Sequence, residues 1–166
     1  CALTGKPVIC LNMPIHQFKA EYDRGHEHIQ WLKQKFSNVN SAEVELTQAF
    51  QTLGAALPAD IQDWLTMANT RSRLRMTTLY AFACHHKMLV AGTGNKIEDF
   101  GVGFFTKYGD GGVDVSPIAD LMKSEVFAIG RSLGICDSIF LVQFIFQFFI
   151  QFLVAAKTAI SICWPS

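Results

Sequence analysis

Between Ala91 and Glu125, Gly92, Gly94, Gly101, Gly103, Gly109, Gly111 and Gly112 are mixed with Lys96, Glu98, Asp99, Lys107, Asp110, Asp114, Asp120 and Lys123, so more than half of the 12 glycines share one stretch with both signs of charge. Glycine lets backbone N–H groups approach a ligand closely, and neighbouring lysines and carboxylates can hold phosphates and the cation that accompanies them. The stretch reads as built around a polyanion. Gly109-Asp110-Gly111-Gly112 would serve equally well as solvated turns, and composition alone does not separate the two readings.

Position favours the first. Lys87-Met88-Leu89-Val90-Ala91 reads as a short buried strand, and Gly92-Thr93-Gly94-Asn95 follows at its carboxyl end, before a helix expected to begin near Lys96. Open α/β sheets bind ligands at that edge. Thr93 there could offer a hydroxyl and an N–H to a nucleotide, and Glu98, in the first helical turn, could bind a metal ion. The turn is a weak signal by itself, since the full G-x-G-x-x-G fingerprint is absent.

The string AGTGNKIEDFGVGFFTKYGDGGVDVSPIADLMKSEV resembles the signature region of ammonia-dependent NAD+ synthetases, members of the N-type ATP pyrophosphatase group. ANTRSRLRM at 68–76 and LNMPIHQ at 11–17 resemble further landmarks of that family, in the expected order. The resemblance implies an α/β fold, a Rossmann-like parallel sheet with helices on both faces of the adenine nucleotide alpha hydrolase type, incomplete here. It implies ATP-dependent amidation of deamido-NAD+ with ammonia, with Mg2+ as cofactor. Carried over residue by residue, Thr93 and Lys123 would contact ATP, Glu98 would bind Mg2+, and Arg73, Lys107 and Asp114 would hold deamido-NAD+. A homodimer, with the substrate site built across its interface, is also implied. Another amidating ATP pyrophosphatase, or a nucleotide-binding module without turnover, are the alternatives.

Two features depart from the family pattern. No Ser-Gly-Gly-x-Asp-Ser string, which would cradle pyrophosphate, is present, and the simplest expectation is that it precedes Cys1, leaving a chain with little or no synthetase activity. Residues 1–137 would then form a partial synthetase domain. Residues 138–166 instead run SIFLVQFIFQFFIQFLVAAKTAISICWPS, with Lys157 the only charge. A reading-frame shift or intron read-through accounts best for that abrupt loss of pattern. A buried or interface helix is the plainer structural reading. A membrane helix is the third, opposed by Gln143, Gln147 and Gln151, which would stripe one helical face with polar groups.

With 14 basic and 14 acidic side chains the formal net charge is zero, which removes any general electrostatic case for nucleic-acid or anionic-membrane partners. The 5 cysteines are widely spaced without a Cys-x-x-Cys pair, which argues against a disulfide framework or zinc site and fits a reducing cytoplasm. Cys10 and Cys84 are expected as small buried hydrophobes.

The positioning elements follow from periodicity. Strands are predicted over Pro7–Asn12 and Lys87–Ala91, and helices over Lys19–Phe36, Ala42–Gly54, from about Leu57 with Ile61, Trp64 and Leu65 inward, from Asn69 or Thr70 to about Cys84, and from Pro117 to Leu133. On a helix Arg71 and Arg75 share a face, whereas Arg73 points roughly 160° away, so the three cannot grip one ligand together. No nucleophile–histidine–carboxylate arrangement is supported.

Overall fold

The structure, a computed structural model, describes residues 1–140 and 159–163. Strand β1 (Val8–Asn12) crosses through helix α1 (Lys19–Lys35) to β2 (Val39–Glu43), and the two strands pair in parallel, Val8 with Val39 through Asn12 with Glu43. Helices α2 (Thr47–Ala56) and α3 (Trp64–His86) then lead to β3 (Met88–Ala91). After a glycine-rich excursion come α4 (Lys123–Ser132), the short α5 (Asp137–Phe140) and β4 (Ala159–Cys163). This is the expected α/β architecture.

Side-chain alternation along β1 explains the layering. Val8 and Cys10 face α1 and pack with Ile29 and Val39. Leu11 faces the other side, where Met13, Ile15, Leu46, Phe50, Met76, Leu79, Ala83 and Val90 form the larger core under α2 and α3. A strand buried on both faces reads as a continuous apolar run, which is why Val-Ile-Cys-Leu was legible as a strand. Val39-Asn-Ser-Ala-Glu was not, because β2 is polar and only Val39 of it is buried.

Several expectations are corrected. Helix α3 is continuous from Trp64, started by Asp63, whose side chain accepts from the Thr66 N–H at 3.0 Å. Ile61, Trp64 and Leu65 are exposed rather than inward. Residues Ala59–Ile61 make one 3₁₀ turn, and α4 begins at Lys123 rather than Pro117. Cys84 is exposed.

The sheet order is β2-β1-β4-β3. β4 runs antiparallel to both neighbours, so β1 and β3 point the same way, and the sheet is parallel apart from that strand. Ile160 pairs with both Cys10 and Ala91, which brings the carboxyl ends of β1 and β3 to one edge. β4 falls within the nearly uncharged tail, for which no strand was expected; residues 141–158 and 164–166 of that tail lie outside the described residues. Among the described residues no helix is long and apolar enough to cross a membrane.

Cys10 is completely buried, and burial pushes its thiol up to about 11. In native protein at pH 8, a disulfide reagent is therefore expected to label Cys84 readily and Cys10 only after denaturation, because the thiolate is the reacting form. Peptide mapping after brief labelling checks this, and rapid native labelling of Cys10 would contradict its placement.

Candidate functional site

At the common edge of β1 and β3 the chain encloses a cavity of about 330 Å³. Met13 lines it from the exit of β1, Ala91, Gly92 and Thr93 from the exit of β3, α3 supplies Ala68, Asn69, Ser72 and Arg75, and the loop after β3 supplies Phe104, Phe105, Thr106 and Asp110. The walls are mostly apolar, with a few polar groups converging on them, as small-molecule sites usually are.

The Gly92-Thr93-Gly94 turn is shaped by close packing. A Cβ at Gly92 would stand 2.7 Å from Val113 Cγ2, and one at Gly94 would fall on the Asp99 carboxylate. Asn95, which is 2% exposed, accepts the Ile97 and Glu98 N–H groups at 3.1 Å each through Oδ1. That capping starts the π-helical turn Ile97–Val102, shorter and wider than the helix expected near Lys96, and ended by Gly103 at φ 70°. The cap fixes Glu98 over the turn, where its carboxylate pairs with the Lys123 ammonium at the start of α4. Glu98 and Lys123 are thus brought together from 25 residues apart.

Arg73 and Lys107 are also neighbours. Arg73 Nε donates to the Lys107 carbonyl at 3.1 Å, and Lys107 Nζ lies 5.0 Å over the Tyr108 ring. Both side chains are exposed. Arg71 and Arg75 point elsewhere, as the helix geometry required. Arg71 stacks at 5.2 Å on Phe50, while buried Arg75 donates through Nε to the Met13 carbonyl at 2.9 Å.

Asp114 is engaged within the fold. Its Oδ2 accepts the Val90 N–H at 2.8 Å and its Oδ1 the Tyr80 hydroxyl at 3.0 Å. Burial, then the bond to Asp114, raises the Tyr80 phenol above its ordinary range, so it stays a donor at neutral pH. Five of the six candidate residues thus resolve into three placements: Thr93 on the cavity wall, Glu98 with Lys123, and Arg73 with Lys107. Asp114 ties the 113–115 segment to β3 and α3.

Residues that sequence reasoning missed join α3 to the loop after β3. Thr106 Oγ1 donates to Asn69 Oδ1 at 2.7 Å, and Ser72 Oγ donates to Asp110 Oδ1 at 2.9 Å while accepting the Asp110 N–H at 3.0 Å. The available signal was Ser72 lying beside Arg73 on one helix and Asp110 flanked by glycines. Nothing local pairs them across 38 residues.

Among the described residues no group of three or more His, Cys, Asp or Glu side chains could hold a metal ion. Glu98 alone supplies one carboxylate. Mg2+ commonly binds through one or two carboxylates with substrate phosphates and water completing the octahedron, so this site fits the ion only together with a nucleotide.

Comparison with known proteins identifies the family. The family profile described as NAD synthase matches residues 1–143. The NH3-dependent NAD+ synthetase of Mycoplasma genitalium is 38% identical over 128 residues, which is 76% of this chain and 49% of that protein. The NH3-dependent NAD+ synthetase of Methanosarcina acetivorans is 37% identical over 139 residues, 82% of this chain and 52% of that one. The chain therefore spans about half the length of these curated relatives. Among solved structures, an NMN synthetase from Francisella tularensis superposes with a TM-score of 0.73 at 30% identity, over 82% of this chain and 55% of its own. An NH3-dependent NAD synthetase from Campylobacter jejuni gives 0.67 at 26% identity, over 78% of this chain and 53% of its own. The Gly-Thr-Gly turn, the α3 arginines and the loop that carries Lys107 all lie within the matched residues, and the chain belongs to the NAD synthase family.

Proposed function

We propose that this chain carries the substrate-binding half of an enzyme that amidates deamido-NAD+ with ammonia at the expense of ATP. ATP binds along the Gly92-Thr93-Gly94 edge with Thr93 and Lys123, and deamido-NAD+ binds toward Arg73, Lys107 and Asp114. The observation that carries this reading is the approach of Arg73 to Lys107, whose chain neighbours Ser72 and Thr106 line the same cavity as the Thr93 turn. An exposed cationic pair beside the cavity and a donor-bearing turn on its wall suit two nucleotides.

The nicotinate carboxylate attacks the α-phosphorus of ATP, pyrophosphate leaves with the electron pair of the broken P–O bond, and an acyl adenylate remains. Ammonia then adds to the activated carbonyl and AMP departs, leaving the amide. The protein's part is alignment of two polyanions and neutralisation of the charge that develops on the leaving group. Lys123 supplies a point charge for a phosphoryl oxygen, and Glu98, its partner in the structure, is the residue to hold Mg2+ beside the phosphates. When bound, that ion neutralises charge on the departing pyrophosphate. Exposed Trp64, Leu65 and Phe105 on the cavity lining support a homodimer whose partner covers them. Widely spaced cysteines without a Cys-x-x-Cys pair support a cytoplasmic location.

Calorimetric titration tests the reading. Deamido-NAD+ is expected to bind at least about tenfold more tightly than NAD+, because a carboxylate facing cations is replaced by a neutral amide. Nicotinate mononucleotide belongs in the same titration, since the Francisella neighbour is an NMN synthetase. Equal affinity for the acid and amide dinucleotides would sink the proposal.

A further inference from the structure

We propose that Ser72 and Asp110 form a latch that holds Lys107 against Arg73, making them positioning residues for the deamido-NAD+ wall. In its second half this rests on the binding reading above; the latch itself rests on geometry alone.

The observations converge on one loop. The Thr106 N–H donates to Asp110 Oδ1 at 2.9 Å, so a single carboxylate oxygen ties the loop's entrance to its apex and also accepts the Ser72 hydroxyl. The Asp110 N–H returns a bond to Ser72 Oγ at 3.0 Å. Gly109 and Gly111 N–H groups both donate to the Thr106 carbonyl, at 2.9 and 3.2 Å, which closes a tight turn around Lys107 and Tyr108. Tyr108 takes the left-handed conformation, φ 63°, that such a turn demands. Ser72 and Thr106 are only 6% and 5% exposed, so these bonds are shielded from water that would otherwise compete for them.

Lys107 lies inside the loop that Thr106 and Asp110 close, and Arg73 follows Ser72 on α3. The latch therefore joins the two neighbours of the cationic pair, and the bond from Arg73 Nε to the Lys107 carbonyl is made where that junction puts it. Without it, two exposed cations would repel across a free loop. With it, the Arg73 guanidinium is held on the Lys107 backbone, so ligand binding does not have to order the loop.

Amide hydrogen exchange and calorimetry on the whole chain test this. Ser72→Ala and Asp110→Ala are expected to speed exchange at Thr106 and Asp110 or its replacement by at least about tenfold, the loss of one shielded hydrogen bond, and to weaken deamido-NAD+ by a similar factor while ATP affinity changes less than about twofold. Asp110→Asn keeps an Oδ1 acceptor and is expected to restore most of both properties. Unchanged exchange in the alanine variants overturns the latch. So does an Asp110→Asn variant as defective as Asp110→Ala, which would mean the carboxylate acts through its charge. Equal weakening of ATP would reduce the latch to a general scaffold and overturn its positioning role. Should the unaltered chain fail to bind deamido-NAD+, the functional reading fails, and the exchange rates alone still decide whether the latch exists.

Discussion

Replacing Gly109 by alanine is expected to lower the unfolding free energy by about 3 kcal/mol, from overpacking together with loss of one or two shielded hydrogen bonds. In a chain of this size that moves the thermal midpoint down by roughly 10 °C. Gly109 is buried, and a Cβ there would overlap Ser72 Oγ and stand 2.9 Å from Thr106 Cβ. Ser72 could turn away only by breaking its two bonds to Asp110, and the Thr106 carbon is fixed by the backbone. Gly109 does not take a positive φ, so the cost is one of space. Gly103 is the contrasting case: its φ is 70° and nothing lies within 4 Å of an added Cβ, so alanine there costs only about 1 kcal/mol of backbone strain. Differential scanning calorimetry of the two variants separates the effects. A Gly109→Ala protein as stable as Gly103→Ala would mean that the loop is not packed on α3. In a Ser72→Ala, Gly109→Ala double variant part of the overlap is gone, so the two losses should fall short of additive.

That contrast shows what a linear reading can and cannot reach. The 109–112 glycines were legible as a cluster, but a solvated turn and a close approach have the same composition; only the position of Ser72, on another element, decides for close approach at Gly109. Where residues act through neighbours in the chain, the reading held. β1 and β3 were visible because both faces are buried, and α1 because its ends and periodicity agree. The opposed directions of Arg71, Arg73 and Arg75 followed from helix geometry. Where an element is fixed by tertiary contacts it was not visible: β2 is polar along most of its length, and the first turn of α3 exposes Trp64 and Leu65. The pairing of Glu98 with Lys123 is of the same kind, since resemblance named both residues without indicating that they touch. Two antiparallel ladders to β4 could not be anticipated from a tail that reads as one long, nearly uncharged apolar run.

Arg75 carries the other large expected effect. The residue is 8% exposed, and its guanidinium donates to the Met13 carbonyl at 2.9 Å and reaches Gln17 Oε1 at 3.4 Å, so it pins both ends of the turn by which the chain leaves β1. That turn needs pinning, because His16 sits at φ 49°, a conformation costing a non-glycine residue on the order of 1 kcal/mol. The turn's other anchors are the Leu46 N–H on the Pro14 carbonyl, at 3.0 Å, and the His16 N–H on Thr47 Oγ1, at 3.1 Å. Arg75→Ala empties the space and leaves the buried Met13 carbonyl without this donor, an expected loss of about 3 kcal/mol. Burial, aided by the nearby Arg71 charge and partly offset by Glu21, pushes the Arg75 guanidinium down to about 10. It remains protonated at pH 7, and because the unfolded chain holds that proton more tightly, the buried charge opposes folding in full at every pH below about 10, and the opposition fades only as pH rises from that value toward the ordinary arginine range. Arg75→Met removes that opposition and refills the volume while still orphaning the carbonyl, so it should lose only about half as much as alanine. Denaturant unfolding at pH 7 ranks the three proteins, and hydrogen exchange at Ile15 and Gln17 should rise in both variants. If methionine proves as costly as alanine, the fold depends on the charge itself; if neither variant loosens the 13–17 turn, Arg75 does not hold the wall of the cavity at the end of β1.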